Sequence, residues 1–152
     1  MKHFFILLTA FFAAYSYSSA QSSEDSVKAT INQLFTAMKN SDPTLLKDAF
    51  SDSAVLQTIA RNKEGATIVR NEAVGEFASS ISQLAKGDAD ERITYETIKI
   101  DGPLAIVWTP YKFYYKGNFS HCGVNSFQLV RMNGKWKIVY LIDTRRKAGC
   151  EQ

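Results

Sequence analysis

The chain has 152 residues, with 18 Lys and Arg against 15 Asp and Glu and a formal charge of +3 at pH 7. That near-balance gives no electrostatic footing for nucleic acid, and neither a basic helix nor an RNA-binding aromatic motif occurs. A nucleophile elbow, a P-loop and a dinucleotide fingerprint are absent, so no cofactor is expected.

The N-terminus reads as a targeting segment. Lys2 and His3 give a short basic start, Phe4–Ala14 is an apolar run, and Tyr15–Ala20 turns polar and small. Ser18 and Ala20 lie three and one residues before Gln21, the small-x-small pattern of a secretory cleavage site. Eleven apolar residues are too few to span a bilayer, which takes about 20. Residues 1–20 are therefore expected to be a signal peptide and residues 21–152 a single exported domain, periplasmic or secreted, with no stable membrane insertion after cleavage.

Ser22-Ser23-Glu24-Asp25 opens a first helix, with small hydroxyl caps and then acids in the first turn. Val27, Ile31, Leu34, Phe35 and Met38 recur on one apolar face. Asp42-Pro43 starts a short second helix that buries Leu45, Leu46, Ala49 and Phe50. Ala54–Ala60 and Ala66–Arg70 read as strands around Asn62–Gly65. A third helix follows from Asn71, with Val74, Phe77, Ala78, Ile81 and Leu84 as its stripe. Lys86–Glu91 reads as a polar loop and Arg92–Ile100 as one strand. Leu104–Tyr115, Ser120–Met132 and Lys135–Thr144 are strands joined by Gly117-Asn118 and Asn133-Gly134 turns. Helices early and strands late mark an α+β fold. Trp136–Ile142 loses the alternation of a half-exposed strand, so both of its sides must be covered.

That order resembles the cone-shaped superfamily of nuclear transport factor 2. Trp108-Thr109-Pro110-Tyr111, Phe119–Phe127 and Ile142-Asp143-Thr144-Arg145-Arg146 are similar to an exported bacterial subfamily labelled "putative lumazine-binding". The resemblance implies a curved antiparallel sheet wrapped around the N-terminal helices, with a pocket at the open end. It names no substrate: members include isomerases, dehydratases, cyclases and non-catalytic binding domains.

The two turns set an expected register. It pairs His121 with Arg146, Asn125 with Ile142, Phe127 with Tyr140, Leu129 with Ile138, Tyr114 with His121 and Trp108 with Phe127. Cross-strand partners share a face. The face toward the helices then carries Trp108, Tyr114, His121, Asn125, Phe127, Leu129, Trp136, Ile138, Tyr140, Ile142 and Arg146. Trp108, Tyr114, His121, Asn125, Tyr140 and Arg146 become the expected small-molecule site, an apolar cavity with a few convergent polar groups. Pro110 marks a place where a bulge would flip the earlier part of its strand.

His121, the single histidine left after signal removal, is a base suited to neutral pH. Two functions follow: a binding domain without turnover, or a cofactor-free isomerase, dehydratase or cyclase with His121 as base. Asp143 falls on the opposite face in this register, beside Arg145 as an interface or surface ion pair, so a His/Asp dyad would need an unseen bulge. One histidine and no spaced Cys/His or carboxylate set argue against a metal. Val124, Val130, Val139 and Leu141 form an apolar outer strip, expected to bury itself in a homodimer. Cys122 and Cys150 permit one disulfide in an exported chain. The register sets Cys122 opposite Arg145, so the chain must double back through Ala148-Gly149 to form it. The pairing stays open at this point.

Overall fold

The computed structural model describes residues 22–150; the expected signal peptide lies outside the described residues. The elements are α1 (Ser23–Asn40), α2 (Pro43–Ala49), β1 (Phe50–Arg61), β2 (Thr67–Glu72), α3 (Val74–Ser82), β3 (Ala89–Ile93), β4 (Thr97–Asp101), β5 (Leu104–Tyr115), β6 (Asn118–Met132) and β7 (Lys135–Arg146). The helices pack on one face of a curved, open sheet of order β2-β1-β7-β6-β5-β3, with β4 also paired to β5. The fold is α+β, as the element order implies.

Local chemistry explains the helices. The Ser22 hydroxyl accepts from the Asp25 amide at 3.0 Å and starts α1. Ser41, in the left-handed region at φ 56°, ends it by donating its N–H to Ala37 and Met38. Asp42 then caps α2 through the Thr44 and Leu45 amides at 3.0 and 2.9 Å, with Pro43 in the first turn. The α1 stripe of Val27, Ile31 and Leu34 is fully buried against Phe127, Leu129 and Ile138 of the sheet. Each such side chain contributes about 1.5–3 kcal/mol of transfer free energy. The Phe35 and Phe127 rings meet edge to face at 6.2 Å.

The sheet departs from expectation in four places. The segment expected as one strand over Arg92–Ile100 is two strands: β3 pairs with the end of β5 and β4 with its start. Ala89–Glu91, expected in a loop, belongs to β3. The β5–β6 turn is Lys116-Gly117, both at positive φ, so Tyr115 faces Asn118. A bulge follows between the Phe113 and Tyr114 pairs, and Pro110 stays in register opposite Val124. Finally, β6 and β7 keep the expected register from Met132 to Leu129, which does face Ile138; then Val139 bulges and Gln128 pairs with Tyr140.

A one-residue slip sends every later side chain to the other face. Beyond the bulges Asn125 therefore pairs with Asp143 and Thr109, Phe127 with Leu141 and Val107, and His121 with Phe113. Strand β1 meets β7 in parallel, Leu56 beside Leu141 and Thr58 beside Asp143.

Cys122 lies opposite Arg146, and the chain doubles back through Gly149 at φ 64° to bond Cys150 to it, with Cα atoms 5.7 Å apart. Closing a loop of 28 residues' separation restricts the unfolded chain by about 3–4 kcal/mol in the chain-entropy description.

Candidate functional site

Between α1, α3 and the inner face of the sheet lies a cavity of about 320 Å³. Leu34, Phe35 and Met38 of α1, Phe77 and Ile81 of α3, and Leu141 of β7 make one half apolar. Glu91 of β3, Tyr111 of β5, His121 and Asn125 of β6, and Asp143 and Arg145 of β7 make the other half polar. The two bulges are what bring β5, β6 and β7 residues to this common end.

Asn125 is only 4 % exposed and donates its Nδ2 to Glu91 Oε1 at 2.8 Å. Asp143, 8 % exposed, accepts from Arg145 Nε at 2.8 Å and from the Tyr111 hydroxyl at 3.3 Å through the same oxygen, Oδ2. The Tyr111 hydroxyl makes its shorter bond, 2.9 Å, to the Thr144 carbonyl. Arg145 also reaches Thr58 Oγ1 at 3.3 Å. Gly123 makes room for the Tyr111 ring: a Cβ there would lie 1.8 Å from the Thr144 carbonyl oxygen and 2.7 Å from Tyr111 Cε1.

Burial dominates the electrostatics. It pushes the Glu91 carboxyl up to about 7, with the Asn125 hydrogen bond opposing and the Asp143 charge adding. Burial also raises the Tyr111 hydroxyl, helped by Glu91 and Asp143. His121 is lowered by burial first and by Arg145 second, so its ring is neutral at pH 7. Glu72, at the mouth, is raised by burial, with Glu76 and Asp143 adding.

Of the expected site residues, the structure brings His121 and Asn125 into the cavity. Trp108 lies on the outer face, 44 % exposed and opposite Ser126 rather than Phe127, because the bulge before Tyr114 reverses its side. Tyr140 also faces outward, opposite Gln128, and donates its hydroxyl to Gln57 Oε1 at 2.6 Å. Tyr114 packs edge to face on Phe119, under the Arg92 guanidinium at 4.1 Å. Arg146 is exposed beside the disulfide and donates to the Gly149 carbonyl. None of these four lines the cavity.

The expected separation of Asp143 from His121 is reversed: the Val139 bulge places Asp143 and Arg145 on the inner face. Their ion pair exists and lines the cavity, with Asp143 buried and the Arg145 side chain still 52 % exposed at the surface. His121 Nδ1 meets Ser120 Oγ at 3.1 Å, and its ring sits between Tyr111 and Phe113 at 5.7 and 5.0 Å. Asp143 is committed to Arg145 and Tyr111, so no His/Asp dyad forms. Sequence reasoning missed Glu91, Tyr111, Asp143 and Arg145 as cavity residues. The alternation of Ala89, Glu91 and Ile93 was the available signal for Glu91. Among the described residues no group of three or more His, Cys, Asp or Glu is placed to hold a metal ion, and no helix is long and apolar enough to cross a membrane.

The fold has many solved counterparts. A protein of unknown function from Shewanella baltica, described as NTF2-like, superposes with a TM-score of 0.64 at 15 % identity, covering 82 % of this chain and 94 % of that one. A domain of unknown function from Nostoc punctiforme, described as having a cystatin-like fold, gives 0.63 at 16 % identity over 83 % and 78 %. An NTF2-like protein from Cytophaga hutchinsonii gives 0.61 at 16 % identity over 83 % and 100 %. No curated protein matches the sequence. Residues 22–141 match the family described as "Putative lumazine-binding". With nearly the whole described fold inside that match, the chain belongs to this family and carries the nuclear transport factor 2-like fold.

Proposed function

We propose that the protein is an exported binding domain that holds a small, partly aromatic molecule in the cavity between α1, α3 and the sheet. The observation that carries this reading is the division of one 320 Å³ space into an apolar half and a compact polar end built on Glu91 and Asn125. Such division is the usual form of a small-molecule site. The family description, which names lumazine, a flat fused heterocycle, agrees with it. Export is supported by the basic, apolar and small-residue succession of residues 1–20 and by the Cys122–Cys150 disulfide, which suits an oxidising compartment. Of the strip expected to carry a homodimer, Leu141 turns into the cavity and Val139 sits in the bulge; the outer face exposes Leu104, Ile106 and Trp108, which support a homodimer through it.

The test is a melting-temperature screen of residues 21–152 against lumazine and pterin-like, ketosteroid and polyketide compounds, with turnover followed in parallel. A binder raises the melting temperature. Leu141→Trp, which fills the apolar half, and Asn125→Ala, which opens the polar end, are expected to remove that rise, and Trp108→Ala to leave it. A rise that survives Leu141→Trp refutes the placement, and turnover lost in His121→Ala would refute binding without chemistry.

A further inference from the structure

The polar end of the cavity carries more acidic groups than basic ones. Asn125 is almost fully buried, yet only its Nδ2 is engaged; among the described residues its carbonyl Oδ1 has no hydrogen-bond partner, and it is not sealed inside protein. It therefore opens to the cavity that Asn125 lines. Glu91 Oε2 and Asp143 Oδ1 share this condition, since every bond to these carboxyls falls on the other oxygen. Among the donors nearby, Tyr111 is committed to Thr144, and Arg145 engages Asp143 through Nε and Thr58 through Nη2, leaving Nη1 open. Three carboxylates, Glu72, Glu91 and Asp143, line the space with one guanidinium. That guanidinium is paired with Asp143, and neither Glu72 nor Glu91 has a cation partner among the described residues.

Building on the binding reading of this cavity, we propose that its polar end receives the ammonium group of a small apolar amine, with the amine's body between Phe35, Met38, Phe77 and Leu141. A primary ammonium brings three donors and no acceptor, which matches three open oxygens. Burying that charge is tolerable only where it is paired and hydrogen-bonded, and Glu91 supplies the counter-charge. A carboxylate ligand would meet like charge at the same place. A neutral alcohol would fill the space but satisfy fewer acceptors.

Proton linkage follows from the surroundings of Glu91. Asn125 and His121 face it from β6, Tyr111, Phe113 and Tyr115 from β5, ion-paired Asp143 and Arg145 from β7, and Glu72 from β2. The helices present apolar Leu34, Phe35, Met38, Phe77 and Ile81, while Lys39 is turned to Asp90. Glu91, pushed up to about 7, changes charge near neutrality. An arriving ammonium favours its ionised form. Binding below pH 7 therefore releases a proton, and affinity rises with pH until Glu91 is ionised without help.

The experiment is calorimetric titration of residues 21–152 with naphthylmethylamine, naphthalenemethanol and naphthoate, one ring with three head groups, at pH 6, 7 and 8. The amine is expected to bind about tenfold or more tighter than the alcohol, roughly the worth of one charge-assisted hydrogen bond. Its affinity should climb by about fivefold from pH 6 to pH 7 and by about twofold more to pH 8. Glu91→Gln should abolish the climb and weaken the amine more than the alcohol, with an unchanged circular dichroism spectrum reporting an intact fold. Alcohol or naphthoate binding as tightly as the amine, or an amine affinity flat with pH, overturns the ammonium assignment and leaves the cavity as a binding site. Silence from all three probes on the wild type overturns both.

Discussion

Glu91→Gln should make the protein more stable at pH 8 than the wild type and indistinguishable from it near pH 4. The Glu91 carboxyl is raised from its ordinary 4.5 to about 7, chiefly by burial. Because the folded state holds the proton more tightly than the unfolded chain, it binds more protons between those two values. Stability therefore falls as pH rises through that window and is level above it. A displacement from 4.5 to about 7 corresponds to about 3 kcal/mol. Glu91 keeps an edge open to the cavity, so water there reduces the expected difference to about 1–3 kcal/mol. Glutamine keeps the shape and the acceptor for Asn125 Nδ2, so the substitution removes the ionisation and little else. Denaturant titrations of both proteins at half-unit pH steps from 4 to 8 measure the difference. Taking the difference cancels the contributions of Glu72 and His121, whose raised and lowered values act on both proteins alike. Parallel stability curves, or a mutant less stable at pH 8, would refute the placement of a buried, ionisable Glu91 at the cavity wall.

Two further outcomes test the frame around the site. Gly123→Ala should destabilise by about 3 kcal/mol or more, since a Cβ 1.8 Å from the Thr144 backbone oxygen cannot be relieved by rotating a side chain. Thermal unfolding measures it, and a loss below about 0.5 kcal/mol would contradict the close β6–β7 approach. Light scattering of residues 21–152 should give a dimer at micromolar concentration and a monomer for Trp108→Lys with an unchanged circular dichroism spectrum. A monomeric wild type removes the outer-face interface.

The helices and their order were legible in the residues because their causes are local. Ser22, Asp42 and Pro43 act within one turn, and the Val27–Met38 stripe repeats along a single element. The β6–β7 turn and its first pairs, down to Leu129 with Ile138, follow in the same way from Asn133-Gly134. The polar end of the cavity was not legible. It depends on single extra residues near Ser120 and at Val139, and each one turns a whole run of side chains over. Nothing in the local composition distinguishes a bulged strand from a regular one. What decides is burial: Leu141 reaches the core and Asp143 reaches Tyr111 only once Val139 has slipped. The strand containing Glu91 was hidden for a related reason. Ala89–Ile93 is short and rich in charge, and it becomes a strand by adding to the edge of β5. Its pairing partners lie more than fifteen residues further along the chain, so tertiary structure alone brings Glu91 to Asn125.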